Sequence, residues 1–203
     1  MNLLMKLHDY LDSGNGYKIR LLLAQLGLRY ELHEVDIMMG GTHTPEFLAM
    51  NPNGCVPVLV LDNGTVISES NAILCFLAEG TAFWPGESVA RAHVLQWMFF
   101  EQNSHEPYVA TPRYILRHLP ADSPRRAELP ARLMRGKAAL QVMEQQLGRT
   151  PYLVGEQYSI ADIALYAYSH VAEQGGHDLA DLPNVRTWLA RVAAQPGHVP
   201  MFG

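Results

Sequence analysis

The sequence predicts two domains, an α/β domain in the order βαβ-α-ββ-α followed by an all-helical one. Three observations carry this. Up to about residue 80, short apolar runs alternate with helical periodicity. Asn63-Gly64 stands between two β-branched runs, the strongest short-range hairpin signal. After residue 88 strand-like alternation disappears and only helical patterns remain. The expected boundaries are 1–80 for the α/β domain, 81–88 for a linker containing Pro85-Gly86, and 89–203 for the helical domain.

Residues 3–7 form a first buried strand, and a turn over 9–16 leads into a helix over 17–26 that Gly27 stops. Residues 29–37 alternate well enough for a second strand, which makes a βαβ unit with parallel strands and a right-handed crossover. Pro45 opens a short helix over 45–50, at the position where a missing N–H costs nothing. Two strands follow on either side of Asp62-Asn63-Gly64, with a type I′ turn expected between them. A helix over 71–77 closes the domain behind Glu69 and Ser70. This element order is that of a thioredoxin-like domain.

The helical half begins with a long apolar helix over 89–119, which Pro107 and Pro112 should bend or break by removing backbone donors. A second helix spans 124–147 and ends at Gly148. Ser159-Ile160-Ala161-Asp162 has capping-box spacing, with Tyr158 and Ile163 placed as a staple, and opens an apolar helix through about Val171. A last helix over 184–195 ends before Pro196-Gly197. The capping box is expected to be purely structural.

Composition excludes several classes. The chain has 203 residues, a formal net charge of -5 and 48% hydrophobic residues, enough for a substantial core. Residues 1–80 carry four Lys/Arg against nine Asp/Glu, and the remainder balances, so no basic stripe is offered to nucleic acid. Two cysteines, Cys55 and Cys75, make no disulfide framework, and the N-terminal apolar run is too short for export or for spanning a membrane. A reducing cytoplasm is expected. The nine histidines, from His8 to His198, include no i,i+4 pair and no Cys/His knot, so no metal is expected.

Residues 51–70, NPNGCVPVLVLDNGTVISES, hold the densest chemistry. A helix starting behind Ser70 presents free N–H groups to a carboxylate, while Glu69 can hold an ammonium. Together they suit an amino-acid head group, although Ser70 as a plain N-cap and Glu69 as a dipole partner fit the same residues. The NPNGxVPVL run followed by ISES closely resembles the glutathione-binding half of the glutathione S-transferase family. That resemblance implies that the Val56 backbone bonds the cysteinyl part of glutathione, that Glu69 and Ser70 hold its γ-glutamyl end, and that Pro57 is cis. Unaided, the sequence favours trans, since only about 5–6% of X-Pro bonds in folded proteins are cis. Relatives often carry a cationic or amide side chain just before the Val-Pro step; here Gly54 and Cys55 stand there. His43, in the Gly-rich loop, is the candidate to compensate at the glycyl carboxylate. Cys55 beside the sulfur site allows a mixed disulfide, a buried inert thiol being the simpler expectation.

Where redox members of the thioredoxin-like fold place Cys-x-x-Cys, this chain has Ser13-Gly14-Asn15-Gly16. It cannot cycle a disulfide of its own there. A hydroxyl can instead donate to a thiolate brought by the ligand. Lowering a thiol from about 8.5 by roughly two units takes about 2.7 kcal/mol. One charge-assisted bond (~1.5–3 kcal/mol) plus a helix N-terminus (~0.3–1 kcal/mol) supplies it. Resemblance to serine-utilising transferases puts Ser13 at the sulfur, with Asn15 a second donor and Tyr10 a third. As turn and cap residues, Ser13 and Asn15 have an equally simple structural reading.

The resemblance further implies glutathione as co-substrate with no metal or nucleotide, a small hydrophobic electrophile bound between the domains, and a homodimer. Leu11, Phe99, Asn103, Glu106, Tyr108 and Tyr114 are the expected walls of the second-substrate site, with Tyr10 shared. The leading expectation is a glutathione S-transferase that activates glutathione as a thiolate. Peroxide or disulfide reduction at the same site, or a non-catalytic binding protein of the same fold, are the alternatives.

Overall fold

The structure, a computed structural model, describes residues 4–202, so Leu3 of the first expected strand lies outside them. The described residues divide into two compact units, one of residues 4–79 with 196–202, the other of residues 80–195. The closing segment 196–202, expected with the helices, therefore belongs with the sheet.

The first unit is a four-stranded sheet in the order β2-β1-β3-β4. Strand β1 (Met5–Asp9) runs two residues further than expected because its neighbour β2 (Tyr30–Glu34) matches it in parallel, Met5 against Tyr30 through Asp9 against Glu34. Strand β2 stops at Glu34, short of the expected residue 37. The chain then turns around Asp36, whose Oδ1 accepts from the N–H groups of Met38 and Met39 at 2.9 and 3.1 Å. β3 (Val58–Val60) lies antiparallel to both β1 and β4 (Val66–Ser68). The hairpin is present, but its turn is not type I′. Only Gly64 has positive φ, at 83°, and its N–H returns to Leu61 O at 2.9 Å. A type I turn followed by a left-handed glycine makes a three-residue loop, because Asp62 needs its own place in it.

Helix α1 (Gly14–Gln25) starts three residues earlier than expected, since Ser13 caps it by accepting from Gly16 N. α2 (Pro45–Met50) has the expected bounds, with Thr44 as its N-cap. α3 (Ser70–Ala78) packs beside α1, and Leu7, Ile19, Leu22, Leu59, Ile73 and Leu74 are wholly buried in this unit. Ser70 is the first helical residue, not the cap; Glu69 precedes it with no side-chain cap bond.

In the second unit the expected long helix is α4 (Ser88–Phe100), a π-type turn (Glu101–His105) and α5 (Glu106–His118). Pro107 sits in the first turn of α5, where its missing donor is harmless, while Pro112 lies inside the helix. The Tyr108 carbonyl that Pro112 cannot serve accepts instead from His177 Nε2 at 3.0 Å. Residues 124–128 wind as a 3-10 turn ahead of α6 (Leu129–Leu147). α7 (Ile160–Ser169) is buried along its whole length, with α4, α5 and α8 (Pro183–Ala193) packed on it. Its capping box is formed, and Tyr158 stacks edge-on with Phe83 at 5.8 Å. Asp162 accepts from Leu153 N, Ser159 N, Ser159 Oγ and Trp188 Nε1 at 3.0, 3.0, 3.2 and 2.9 Å. Burial nevertheless pushes its carboxyl up to about 6. No helix of the described residues is long and apolar enough to cross a membrane.

Candidate functional site

Two helix starts meet in the first unit. The loop after β1 folds tightly, with Ser13 N donating to Tyr10 O at 2.8 Å and Ser13 Oγ accepting from Gly16 N at 3.4 Å. Residue 16 has to be glycine. A β-carbon there would lie 1.5 Å from Asp9 Oδ1, so only a bare α-carbon lets the first turn of α1 settle on the end of β1.

From the neighbouring helix, Ser70 Oγ donates to Asn15 Oδ1 at 3.2 Å and accepts from the fully buried Lys18 Nζ at 3.3 Å. The starts of α1 and α3 are thus joined through the side chains of Asn15 and Ser70, with an ammonium behind them. Both helices aim their free N–H groups and positive dipole ends into this region. Glu69, exposed just before α3, has φ 69°, the one positive φ of a non-glycine among the described residues. Such a backbone costs on the order of 1–3 kcal/mol and is retained where surrounding structure imposes it.

Asn51 builds the approach to Pro57. It is almost fully buried, donates from Nδ2 to Cys55 O at 2.8 Å, and accepts at Oδ1 from Asn53 N at 3.2 Å. The Val56-Pro57 bond is cis. His43 lies beside this segment: a β-carbon on Gly54 would be 3.4 Å from His43 Nε2, and His43 Nδ1 is 3.0 Å from Thr42 Oγ1. The structure therefore brings the loop histidine to the residue before Cys55. Cys55 is exposed rather than buried, its thiol donating to Asn53 O at 3.4 Å. The expected inert buried thiol is corrected on this point, because Asn51 holds the loop by its backbone and leaves the side chain outside. Cys75 is the half-buried one, and burial raises its thiol pKa.

Charged groups that sequence reasoning left out lie under the same loop. Asp9 is fully buried, with Oδ2 accepting from Arg20 Nε at 2.9 Å and Oδ1 without a hydrogen-bond partner. Burial pushes its carboxyl up to about 7, against the opposing pull of Arg20. Lys18 and Arg20 carry a signal, since both interrupt the otherwise apolar run from Tyr17 to Ala24.

The expected second-substrate residues of the helical unit divide into two groups. Phe99 is exposed, and Asn103 Nδ2 donates to its carbonyl at 2.9 Å; Glu106 accepts from Gln102 Nε2 at 2.9 Å. Tyr108, by contrast, is covered by the Arg135 guanidinium 4.1 Å from its ring centre. Tyr114 sits against His118 and Arg125, at 5.3 and 5.9 Å. Leu11 and Tyr10 are half-buried in the loop before Ser13. Among the described residues no group of three or more His, Cys, Asp or Glu is placed to hold a metal ion.

Residues 13–79 match the model of the glutathione S-transferase N-terminal domain, and residues 99–196 that of the C-terminal domain. A disulfide-bond oxidoreductase of Escherichia coli K12, YfcG, is 35% identical over 194 residues, which are 92% of this chain and 89% of that protein. Among solved structures, a glutathione S-transferase from Pseudomonas fluorescens Pf-5 superposes with a TM-score of 0.95 at 56% identity, covering 98% of this chain and 100% of the other. A glutathione transferase from Burkholderia graminis, with two glutathione molecules bound per subunit, gives a TM-score of 0.86 at 28% identity, covering 96% and 85%.

Proposed function

The chain belongs to the glutathione S-transferase family, and on that premise we propose that it is a glutathione transferase that binds glutathione across the starts of α1 and α3. The observation that carries this reading is the 3.2 Å contact of Ser70 with Asn15, which sets two anion-friendly helix starts side by side. The γ-glutamyl carboxylate takes the start of α3 with Ser70, and Glu69 takes the ammonium. Val56 offers its backbone to the cysteinyl unit beside Pro57. His43, next to Gly54 and Cys55, takes the place of the missing cation at the glycyl carboxylate. The sulfur faces the start of α1, where Ser13 or Asn15 donates to it, with Tyr10 behind. Ser13 Oγ accepts from Gly16 N, which leaves its own O–H to donate.

The chemistry is then a thiolate reaction. The thiol proton leaves to solvent, and the sulfur lone pair forms a bond to an electrophilic carbon whose leaving group departs with its electron pair. A small hydrophobic electrophile is the proposed second substrate. The protein acts as a cytoplasmic homodimer on this reading.

A second reading, glutathione-dependent reduction of a small disulfide, gains support from the similarity to YfcG and from the pair of glutathiones in the Burkholderia graminis transferase. One glutathione thiolate attacks the disulfide and expels a thiolate; a second glutathione attacks the mixed disulfide, giving oxidised glutathione and a second reduced thiol. Ser13-Gly14-Asn15-Gly16 has no cysteine, so neither attacking sulfur comes from that motif, and in this scheme both come from glutathione. Turnover of an aryl halide, a hydroperoxide and a small disulfide separates these reactions. Ser13→Ala and Asn15→Ala test the shared step: one of them raises the thiol pKa of bound glutathione by about one to two units and lowers kcat/KM roughly 10- to 100-fold. No turnover of any substrate, or an unmoved thiol in both variants, overturns the proposal.

A further inference from the structure

The guanidinium of Arg20 is committed three ways. Nε donates to Asp9 Oδ2 at 2.9 Å, Nη2 to Leu11 O at 2.8 Å and Nη1 to Met201 O at 3.1 Å. These partners come from separate stretches of chain: the end of β1, the loop that leads to Ser13, and the closing segment 196–202. That segment is also tied to α1 at Tyr17, whose hydroxyl donates to Val199 O at 2.8 Å. Planar guanidinium geometry suits such a fork, because its donors are fixed in one plane, whereas an ammonium is a point charge on a flexible stem.

The Leu11 carbonyl stands two residues before Ser13. Across the same loop Ser13 N bonds Tyr10 O. Holding Leu11 O therefore fixes where the Ser13 hydroxyl and the first N–H groups of α1 point. We infer that Arg20 is a positioning residue for the sulfur end of the glutathione site, holding the Leu11 carbonyl against the buried Asp9 and the carboxy-terminal segment. The inference rests on the glutathione reading above.

Asp9 is the anchor of this fork. Its carboxylate fills the space beside Gly16, fully out of solvent. The charged and titratable groups around it are Arg20 from α1 and Glu34 and Tyr30 from β2. Glu34 opposes its ionisation and Arg20 favours it. Arg20→Lys keeps the positive charge toward Asp9 and removes the fork, so it separates geometry from charge. Asp9→Asn keeps the shape and removes the negative charge. A pure charge effect of Asp9→Asn lowers the thiol pKa of the ligand, while a loosened loop raises it.

The experiment uses the full chain. Binding of S-methylglutathione, which has no thiol, is measured by calorimetry for wild type, Arg20→Lys and Asp9→Asn. The thiol pKa of bound glutathione is read from the ultraviolet absorbance of the thiolate. In both variants the expected thiol pKa rises by about one unit, a tenfold loss of thiolate at fixed pH, while S-methylglutathione affinity stays within about twofold. A residue that only supported the fold would lower the melting temperature and leave the thiol of the folded fraction where it was. Should Arg20→Lys fail to fold, Asp9→Asn decides the matter by the sign of its shift. An unmoved or lowered thiol pKa in folded variants overturns the inference and leaves the glutathione reading standing. Absence of S-methylglutathione binding by wild type overturns both.

Discussion

Asp9 in the first unit and Asp162 in the second are both wholly buried carboxylates with raised pKa values, yet their surroundings differ. Asp162 receives hydrogen bonds on both oxygens from Leu153, Ser159 and Trp188. Asp9 is bonded on one oxygen by Arg20, and its other oxygen lies against the bare α-carbon of Gly16. A saturated network behaves as a staple: every donor aimed at Asp162 belongs to the fold, and none faces a ligand. A half-satisfied acid beneath a loop, held by an arginine that also grips that loop, sits where the chain gives up some stability to set a site.

The largest expected effect breaks the saturated side. Asp162→Ala leaves the Leu153 N–H, the Ser159 N–H and the Trp188 indole N–H buried without acceptors. At about 1–3 kcal/mol for each unsatisfied group, urea denaturation should show a loss of several kcal/mol. A loss below about 1 kcal/mol would mean that these donors find other partners and that the network is not a staple. Glutathione affinity of the protein that remains folded should be unchanged, because Asp162 lies in the helical unit.

A smaller effect sharpens the Asp9 side. Gly16→Ala places a methyl 1.5 Å from Asp9 Oδ1, so the first turn of α1 must lift off β1. Overpacking of this kind costs about 1–3 kcal/mol. The cost should shrink to a few tenths of a kcal/mol when Gly16→Ala is made in an Asp9→Ala background, where the obstacle is gone. Equal costs in both backgrounds would show that Gly16 is required for some reason other than the aspartate.

The same contrast explains what could be read from the chain alone. The capping box at Ser159 and Asp162, the Pro45 helix and the Asn63-Gly64 hairpin are local signals, each decided within a few residues, and the fold class followed from them. The turn differs from the expected type I′ because Asn-Gly permits I′ without requiring it; Asp62 as a third loop residue selects the type I turn. The start of α1 lies earlier than expected because Ser13 suits a turn and a cap equally, and only the Gly16 N–H shows which it serves. The π-type turn at Glu101–His105 has no compositional mark, and so the long helix looked continuous up to its prolines. The roles of Asp9, Lys18, Arg20 and Asn51 are hidden in the sequence for a different reason. Their partners are brought together by the sheet and the closing segment, and a charged residue in an apolar helix looks solvated until its partner is placed. Chemistry alone points to His43, and its position beside Gly54 depends on how residues 41–54 fold back.

The central claim is that the joined starts of α1 and α3 bind glutathione. Calorimetric titration of the wild-type chain with reduced glutathione tests it most directly, with Ser70→Ala as the paired measurement. We expect saturable one-site binding in wild type, weakened about tenfold or more when the Ser70 hydroxyl is removed, equivalent to about 1.4 kcal/mol. No saturation at millimolar glutathione, or equal affinity in Ser70→Ala, contradicts the account.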